Sequence, residues 1–338
     1  MKITITDIAR DTGLAVSTIS KYLNHKNILP ENEALIEASI KKLGYTPNRI
    51  AQGLRAKSSH TVALLIPSKN NYFWGNSVSY ITSFLWEQGY VCTIHTYPPE
   101  KEKQLQLGQL LINNNIRGLI AVTGTLEPEV LNRMKEKAIP MVLLDQVSAS
   151  FASDYVTSEN YLGGYLAGSY LARKNHQRIG FVAGRRDAYT IVQRTSGFLN
   201  ALKDAKLPAY PELYSYDLNG QMGGKEQMRR LLSLSQPPTA VFFCSFDLCL
   251  GGISLLNERG ISIPEQMSVI GFDDDRIFSC FSPSITVIAQ DFLQIGVEAA
   301  RLLLEQFQNP EKSSPKICKV PVQLIERESV CNFRKELP

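Results

Sequence analysis

From Thr61 onward the chain alternates short apolar runs with amphipathic stretches, and no other feature restricts its fold so tightly. The apolar runs are Val62 to Ile66, Val91 to Ile94, Gly118 to Val122, Met141 to Leu144, Ile179 to Val182, Ala240 to Cys244 and Val269 to Phe272. Between most of them lie helical patterns: Tyr80 to Gln88, Gln104 to Asn113, Glu129 to Lys137, Leu162 to Arg173, Gly197 to Ala205, Gly224 to Leu232 and Gly251 to Arg259. Apolar runs separated by helices are the pattern of parallel sheets covered on both faces. With this many strands, two doubly wound α/β lobes are expected rather than one very wide sheet. A ligand then sits between the lobes, at the carboxyl ends of the strands.

The first sixty residues follow a different period. Ile5, Ile8 and Ala9 stand at helical spacing, Gly13 interrupts, and Val16, Ile19 and Leu23 restart the period on one face. Helix, tight turn, helix is the expected outcome. The second helix has much surface to spare, carrying Ser17, Thr18, Ser20 and Lys21, short hydroxyls and a cation suited to major-groove base edges and flanking phosphates. An ordinary helical hairpin with a solvated face fits this stretch alone equally well. Pro30 and Glu31 open a third helix, with Leu35, Ile36, Ser39, Ile40 and Leu43 on its apolar face and Gly44 at its end. Pro suits a first turn because its missing N–H has no helical partner there.

Asn48 to Ala56 has helical periodicity but is short, and helices below roughly 12 residues are marginal alone in water. Gly53 lowers its helicity by about a further 1 kcal/mol relative to Ala. Such a segment is expected to order only against a partner.

Charge supports a division of labour. Residues 1–60 hold nine Lys and Arg against five Asp and Glu, whereas the rest holds 27 of each, so the whole net +4 lies at the N-terminal end. That places a polyanion-binding module ahead of a neutral body. The six cysteines are scattered and lie mostly in apolar runs, as buried thiols of a reducing compartment do. No apolar run could span a bilayer and no signal core opens the chain, so a cytoplasmic protein is expected. Phosphate loops, dinucleotide fingerprints, nucleophile elbows and zinc-protease motifs are absent. Gly163-Gly164 reads as a close-packing site. Asp273-Asp274-Asp275 reads as an acidic loop rather than a metal site, because consecutive side chains point apart. No cofactor is expected.

These residues resemble the LacI family of bacterial transcription regulators over nearly the full length. The resemblance is carried by Ile5-Thr-Asp-Ile-Ala-Arg, Gly13, Ser17-Thr-Ile-Ser-Lys21, Leu23-Asn24, Leu43-Gly-Tyr-Thr-Pro-Asn48, Ile50-Ala51 and Leu54-Arg55. Further along come Leu144-Asp145, Arg178-Ile179-Gly180, Arg194 with Gly197-Phe198, Ser268-Val-Ile-Gly-Phe-Asp273 and Glu326-Arg-Glu-Ser329. Their order and spacing together are specific. The resemblance implies a helix-turn-helix headpiece over 1–46, a hinge helix and linker over 47–60 and a two-lobed core of periplasmic-binding-protein type over 61–338. The N-lobe would comprise about 61–160 and 290–320, the C-lobe about 161–289 and 321–338.

It also implies base reading by Val16, Ser17 and Lys21, with Thr18, Ser20 and Asn24 near the DNA backbone and Thr4 and Ile5 also among the DNA-binding residues. Asn48, Ala51, Leu54 and Arg55 would serve the hinge, with Leu54 wedged into the minor groove, a contact that offsets a few kcal/mol of unstacking. Two hinges on a pseudo-palindromic operator make a homodimer. The tail after Ser329 has no leucine heptad, so no tetramer zipper is expected. The implied effector residues are Asp145, Arg194 and Asp273, with Phe73 and Trp74 at the pocket mouth and Leu218, Ser245 and Phe246 around it. Carboxylates and a guanidinium at strand ends suit a sugar or polyol.

Departures stand beside these matches. Ala15 replaces the family's Ser, Leu218 replaces a frequent aromatic, and Ser245-Phe246 stands for a common Asn-Asp, with Asp247 one place later. The expectation is therefore a ligand-responsive DNA-binding repressor with an altered pocket. A solute-binding protein and a sugar-phosphate enzyme are the competing readings; the basic headpiece argues against the first, the missing nucleophile and base against the second.

Overall fold

The computed structural model describes residues 3–23, 27–45, 60–68, 72–309 and 314–333, and within it the chain forms two compact units, Met1–His60 and Thr61–Pro338. In the first unit α1 spans Ile5–Thr12, α2 Val16–Leu23 and α3 Pro30–Leu43. Asp7 reaches back to Thr4, accepting from its amide at 2.9 Å and its hydroxyl at 2.7 Å, and so fastens the start of α1. Gly13 ends that helix at φ 70°, a left-handed conformation open to glycine at little cost. The Ala15 carbonyl takes the Thr18 and Ile19 amides, so α2 starts on backbone bonds at the position where the family's Ser would stand.

Ile8, Ile19 and Ile36, one from each helix, are fully buried and form the small core with Tyr45. Leu35, expected on the inner face of α3, is instead 51% exposed, because Ile36 takes the inward position.

In the second unit the strands are β1 Thr61–Pro67, β2 Val91–Tyr97, β3 Gly118–Val122, β4 Met141–Leu144, β5 Asp154–Ser158 and β6 Ile179–Val182. They continue as β7 Tyr214–Ser215, β8 Ala240–Phe243, β9 Ser268–Phe272, β10 Thr286–Gln290, β11 Ile317–Val320 and β12 Val322–Ile325. The helices are α4 Tyr72–Glu87, α5 Lys101–Asn113, α6 Pro128–Glu136, α7 Asn160–Arg173, α8 Tyr189–Asp204, α9 Gly220–Leu232, α10 Phe246–Glu258, α11 Arg276–Cys280 and α12 Phe292–Gln308. Two six-stranded sheets result, ordered β11-β5-β4-β3-β1-β2 and β12-β10-β9-β8-β6-β7. Among the described residues all pairings are parallel except β10 with β12. Each sheet is sandwiched between two apolar clusters.

The chain passes between the sheets three times: after Ser158, after Gln290, and between Val320 and Val322. The apolar-run pattern did not mark these crossovers, because β5, β10, β11 and β12 are short and carry polar ends such as Asp154, Ser158 and Gln290; only the resemblance implied lobe boundaries near 160, 290 and 320. Helix α12 also lies outside the expected set, although its apolar positions recur at helical spacing. Helix α8 begins at Tyr189 rather than Gly197, and so Arg194, expected ahead of that helix, lies inside it.

Gly164 and Gly197 let α7 and α8 touch backbone to backbone: a Cβ on Gly164 would overlap the Arg194 carbonyl, and one on Gly197 the Tyr161 carbonyl. Cys244 and Cys249 are buried, while Cys280 is exposed, unlike the buried thiols expected. Among the described residues no helix is long and apolar enough to cross a membrane, and no cluster of His, Cys, Asp or Glu is arranged to hold a metal.

Candidate functional site

Asp145 and Asp273 terminate β4 and β9, strands that hold the same place in the order of their sheets. Both have left-handed backbone, φ 74° and 77°. Strain of this kind, of order 1 kcal/mol for a non-glycine residue, gathers at binding sites and turns each carboxylate off its strand.

Arg194 accompanies them from α8 and is only 6% exposed. Its Nε donates to Asn160 Oδ1 at 2.8 Å, one terminal nitrogen donates to the Cys244 carbonyl at 2.5 Å, and the guanidinium carbon stands 3.4 Å from the Phe272 ring centroid. Burial pulls the Arg194 pKa down, and the charges of Asp273 and Asp145 counteract it. Burial pushes both carboxyls up; Arg194 opposes this for each, with Gln146 helping at Asp145 and Gln290 at Asp273. The pair and the guanidinium are thus electrostatically coupled.

Several neighbours were not expected. Gln146 Nε2 donates to Asp145 at 2.7 Å and to the Thr190 hydroxyl of α8 at 2.9 Å. Gln290 Nε2 donates to Asp273 Oδ1 at 2.5 Å. Asn160 and Gln290 lie at the crossovers, where the resemblance implied lobe boundaries but assigned neither residue a role.

Other expected pocket residues are differently placed. Ser245 caps α10, accepting from the Leu248 amide at 3.5 Å. Phe246 offers Asp273 its amide at 3.4 Å, while its ring packs 5.1 Å from that of Phe278, against the core. Leu218 is exposed and its carbonyl accepts from Gln227. Phe73 and Trp74 fall in the first turn of α4, where the backbone alone is described. Asp247 is half-buried and its carboxyl is raised, by burial first and the Asp273 charge second. The three carboxylates of 273–275 do diverge: Asp274 pairs with Arg327 at 2.7 Å and Asp275 caps α11.

In the headpiece, Val16, Ser17 and Lys21 are exposed along α2, with Val16 at 40%, and Thr18 and Ser20 are half-buried. Thr4 is exposed and Ile5 leans on the small core. Asn24, Asn48, Ala51, Leu54 and Arg55 lie outside the described residues.

A helix-turn-helix unit, followed along the chain by two parallel sheets with coupled charges at their carboxyl ends, defines a class: DNA-binding regulators that carry a small-molecule sensor. Residues 4–48 match the family of bacterial regulatory proteins, lacI family, and residues 169–330 a periplasmic binding protein-like domain. The chain is 30% identical over 335 residues to the HTH-type transcriptional repressor PurR of Actinobacillus pleuropneumoniae serotype 3, covering 98% of this chain and 99% of that protein. Among solved structures it resembles a complex of the transcriptional regulator CelR with cellobiose (26% identity, TM-score 0.74, 97% of this chain, 100% of the other). It also resembles the lac repressor dimer bound to operator and the anti-inducer ONPF (23% identity, TM-score 0.82, 98% of this chain, 100% of the other). The chain belongs to the lacI family. It is a DNA-binding transcriptional regulator with a ligand-binding core, and neither an enzyme nor a plain solute-binding protein.

Proposed function

We propose that this cytoplasmic regulator represses transcription as a homodimer on a pseudo-palindromic operator, and that a sugar or polyol bound between the core lobes controls its grip. The observation that carries this reading is the pair of left-handed aspartates, Asp145 and Asp273, electrostatically coupled through the buried Arg194. Carboxylates accept from ligand hydroxyls, and here they outnumber the guanidinium, which favours a ligand rich in donors. The cellobiose held by CelR, and the ribose held by a LacI-family regulator from Enterococcus faecium (28% identity, TM-score 0.72, 81% of this chain, 100% of the other), support this class. Ser245-Phe246 stands where the family commonly has Asn-Asp, with Asp247 one place later, so the ligand is expected to differ from those two.

On the DNA side, Val16, Ser17 and Lys21 would read base edges, with Thr18, Ser20 and Asn24 near the backbone and Thr4 and Ile5 also in contact with DNA. The headpiece would extend over 1–46 and the hinge over 47–60, with Asn48, Ala51, Leu54 and Arg55 engaging the minor groove. The core would divide into an N-lobe of about 61–160 and 290–320 and a C-lobe of about 161–289 and 321–338. Ligand-driven rotation of one lobe against the other would change how paired headpieces meet DNA.

The test is a gel shift with fragments from beside the protein's own gene, at low and high salt, together with a thermal-shift screen of sugars and polyols. Retention that falls steeply with salt, altered by a compound that raises Tm, is the expected result. A protein that ignores every duplex at low salt refutes it.

A further inference from the structure

We propose that Gln290 is a positioning residue that couples Asp273 to all three crossovers between the two sheets. This rests on the reading of Asp273 as an effector contact.

Gln290 is the last residue of β10 and stands on the second crossover itself. Its side-chain oxygen accepts from the Ser158 hydroxyl, at the start of the first crossover, while its side-chain nitrogen donates to Asp273 at 2.5 Å. Its backbone is in antiparallel register with Val322, where the third crossover lands. The Glu159 amide closes the circuit, donating to the Val320 carbonyl at 2.8 Å. The next residue, Asp291, is anchored separately by capping α12.

The amide has only one orientation that satisfies both ends. An ionised carboxylate accepts and cannot donate, so the NH₂ must face Asp273 and the oxygen must face Ser158. Bonds in such a chain polarise one another, and the state of the carboxylate is therefore felt at the hydroxyl. A ligand that places its own donors on Asp273 competes with Gln290 for that carboxylate. Its binding then biases the Ser158 bond, and with it the segment about which the sheets are joined. Differential interaction of this kind is what a ligand needs to shift a conformational equilibrium.

The experiment is hydrogen exchange, read by mass spectrometry on the full ligand-free chain, in peptides covering residues 155–162 and 318–325. Asp273→Ala is compared with wild type, and Asp273→Ala/Gln290→Met with Gln290→Met. Coupling through Gln290 predicts that Asp273→Ala speeds exchange in both peptides about threefold or more, while the same change adds little once Gln290 is Met. Peptides from β2 stay unchanged throughout. Should Asp273→Ala fail to fold, Ser158→Ala takes its place, and exchange around residue 273 is read with and without Gln290→Met. Equal acceleration in both backgrounds, or none in the first, overturns the proposal. A chain that shows the coupling but binds no sugar or polyol instead refutes the effector reading, so the two failures are distinguishable.

Discussion

Asp145 and Asp273 are structural counterparts: each follows its strand in left-handed backbone, and each donates its amide to the neighbouring strand, Asp145 to the Val156 carbonyl at 3.0 Å and Asp273 to the Ile288 carbonyl at 2.9 Å. The two halves of the core therefore present one acceptor each by the same backbone device. Glycine would adopt this conformation without strain, so the turn itself does not require a carboxylate at either position.

Asp145→Gly tests that inference. Relief of backbone strain, of order 1 kcal/mol, is offset by about 0.5–1 kcal/mol of added freedom in the unfolded chain. Stability should stay within about 1 kcal/mol of wild type in urea unfolding, while the thermal shift produced by any sugar or polyol that stabilises the wild type disappears. A Gly variant that keeps the shift would remove Asp145 from the site.

Arg194→Met should behave in the opposite way. Its loss leaves two carboxylates without their buried cation and strands the Asn160 and Cys244 oxygens that Arg194 now satisfies. Removing one member of a buried charged cluster costs about 3–5 kcal/mol. The loss should be largest near neutral pH and shrink in acid, as the carboxyls take up protons. Arg194→Lys keeps the charge but loses the planar fork and the stacking on Phe272, so it should fold better than Arg194→Met and still bind poorly.

Asp247 supplies a pH signature. Burial and the Asp273 charge raise its carboxyl above the usual aspartate value of 3.8. The native state then holds more protons than the unfolded chain, and the charged form lowers stability. That penalty is complete above the folded-state pKa and vanishes as pH falls below 3.8. Asp247→Asn should accordingly raise Tm at pH 7, modestly because the group is half-exposed to screening solvent, and by nothing near pH 3. An equal gain at both pH values would show that the charge is not the cause.

The alternation of apolar runs disclosed the two sheets because β1, β3, β4, β6, β8 and β9 are nearly continuous aliphatic or aromatic segments. The same pattern did not mark the crossovers, which entered only as lobe boundaries implied by the resemblance. Ser158, Asn160 and Gln290 are polar residues in short elements, and their partners become visible only when two distant segments meet. Family resemblance singled out Asp145, Arg194 and Asp273, which are electrostatically coupled here, and it also singled out Phe246, whose ring packs beside Phe278. No pattern in one dimension tells an aromatic that lines a cleft from one that turns into the core.

In the headpiece, Asp11 links α1 to α3, accepting from the buried Ser39 hydroxyl at 2.7 Å and from Lys42 at 2.6 Å. Asp11→Ala strands that hydroxyl, and a buried hydroxyl without a partner costs about 1–3 kcal/mol. Asp11→Ala/Ser39→Ala should recover part of the lost stability, because the orphaned group is then gone. Thermal unfolding of the single and double variants checks this. If the double variant is the weaker of the two, the hydroxyl is not the source of the loss.

Lys21 gives the most direct test of how α2 meets DNA. It is exposed near the end of a short helix whose opposite side is anchored by Ile19, so its position is fixed by the core while its charge is left outside. Lys21→Ala should therefore leave Tm unchanged. A base-edge contact predicts a loss of about 1–3 kcal/mol, roughly 5- to 150-fold, on the operator and a relaxed preference at one base position. A phosphate contact predicts instead a similar weakening on all duplexes, and a salt slope smaller by about one. Operator and non-specific DNA, each titrated at several salt concentrations, separate the two. Unchanged affinity on both would place the reading surface elsewhere on the headpiece.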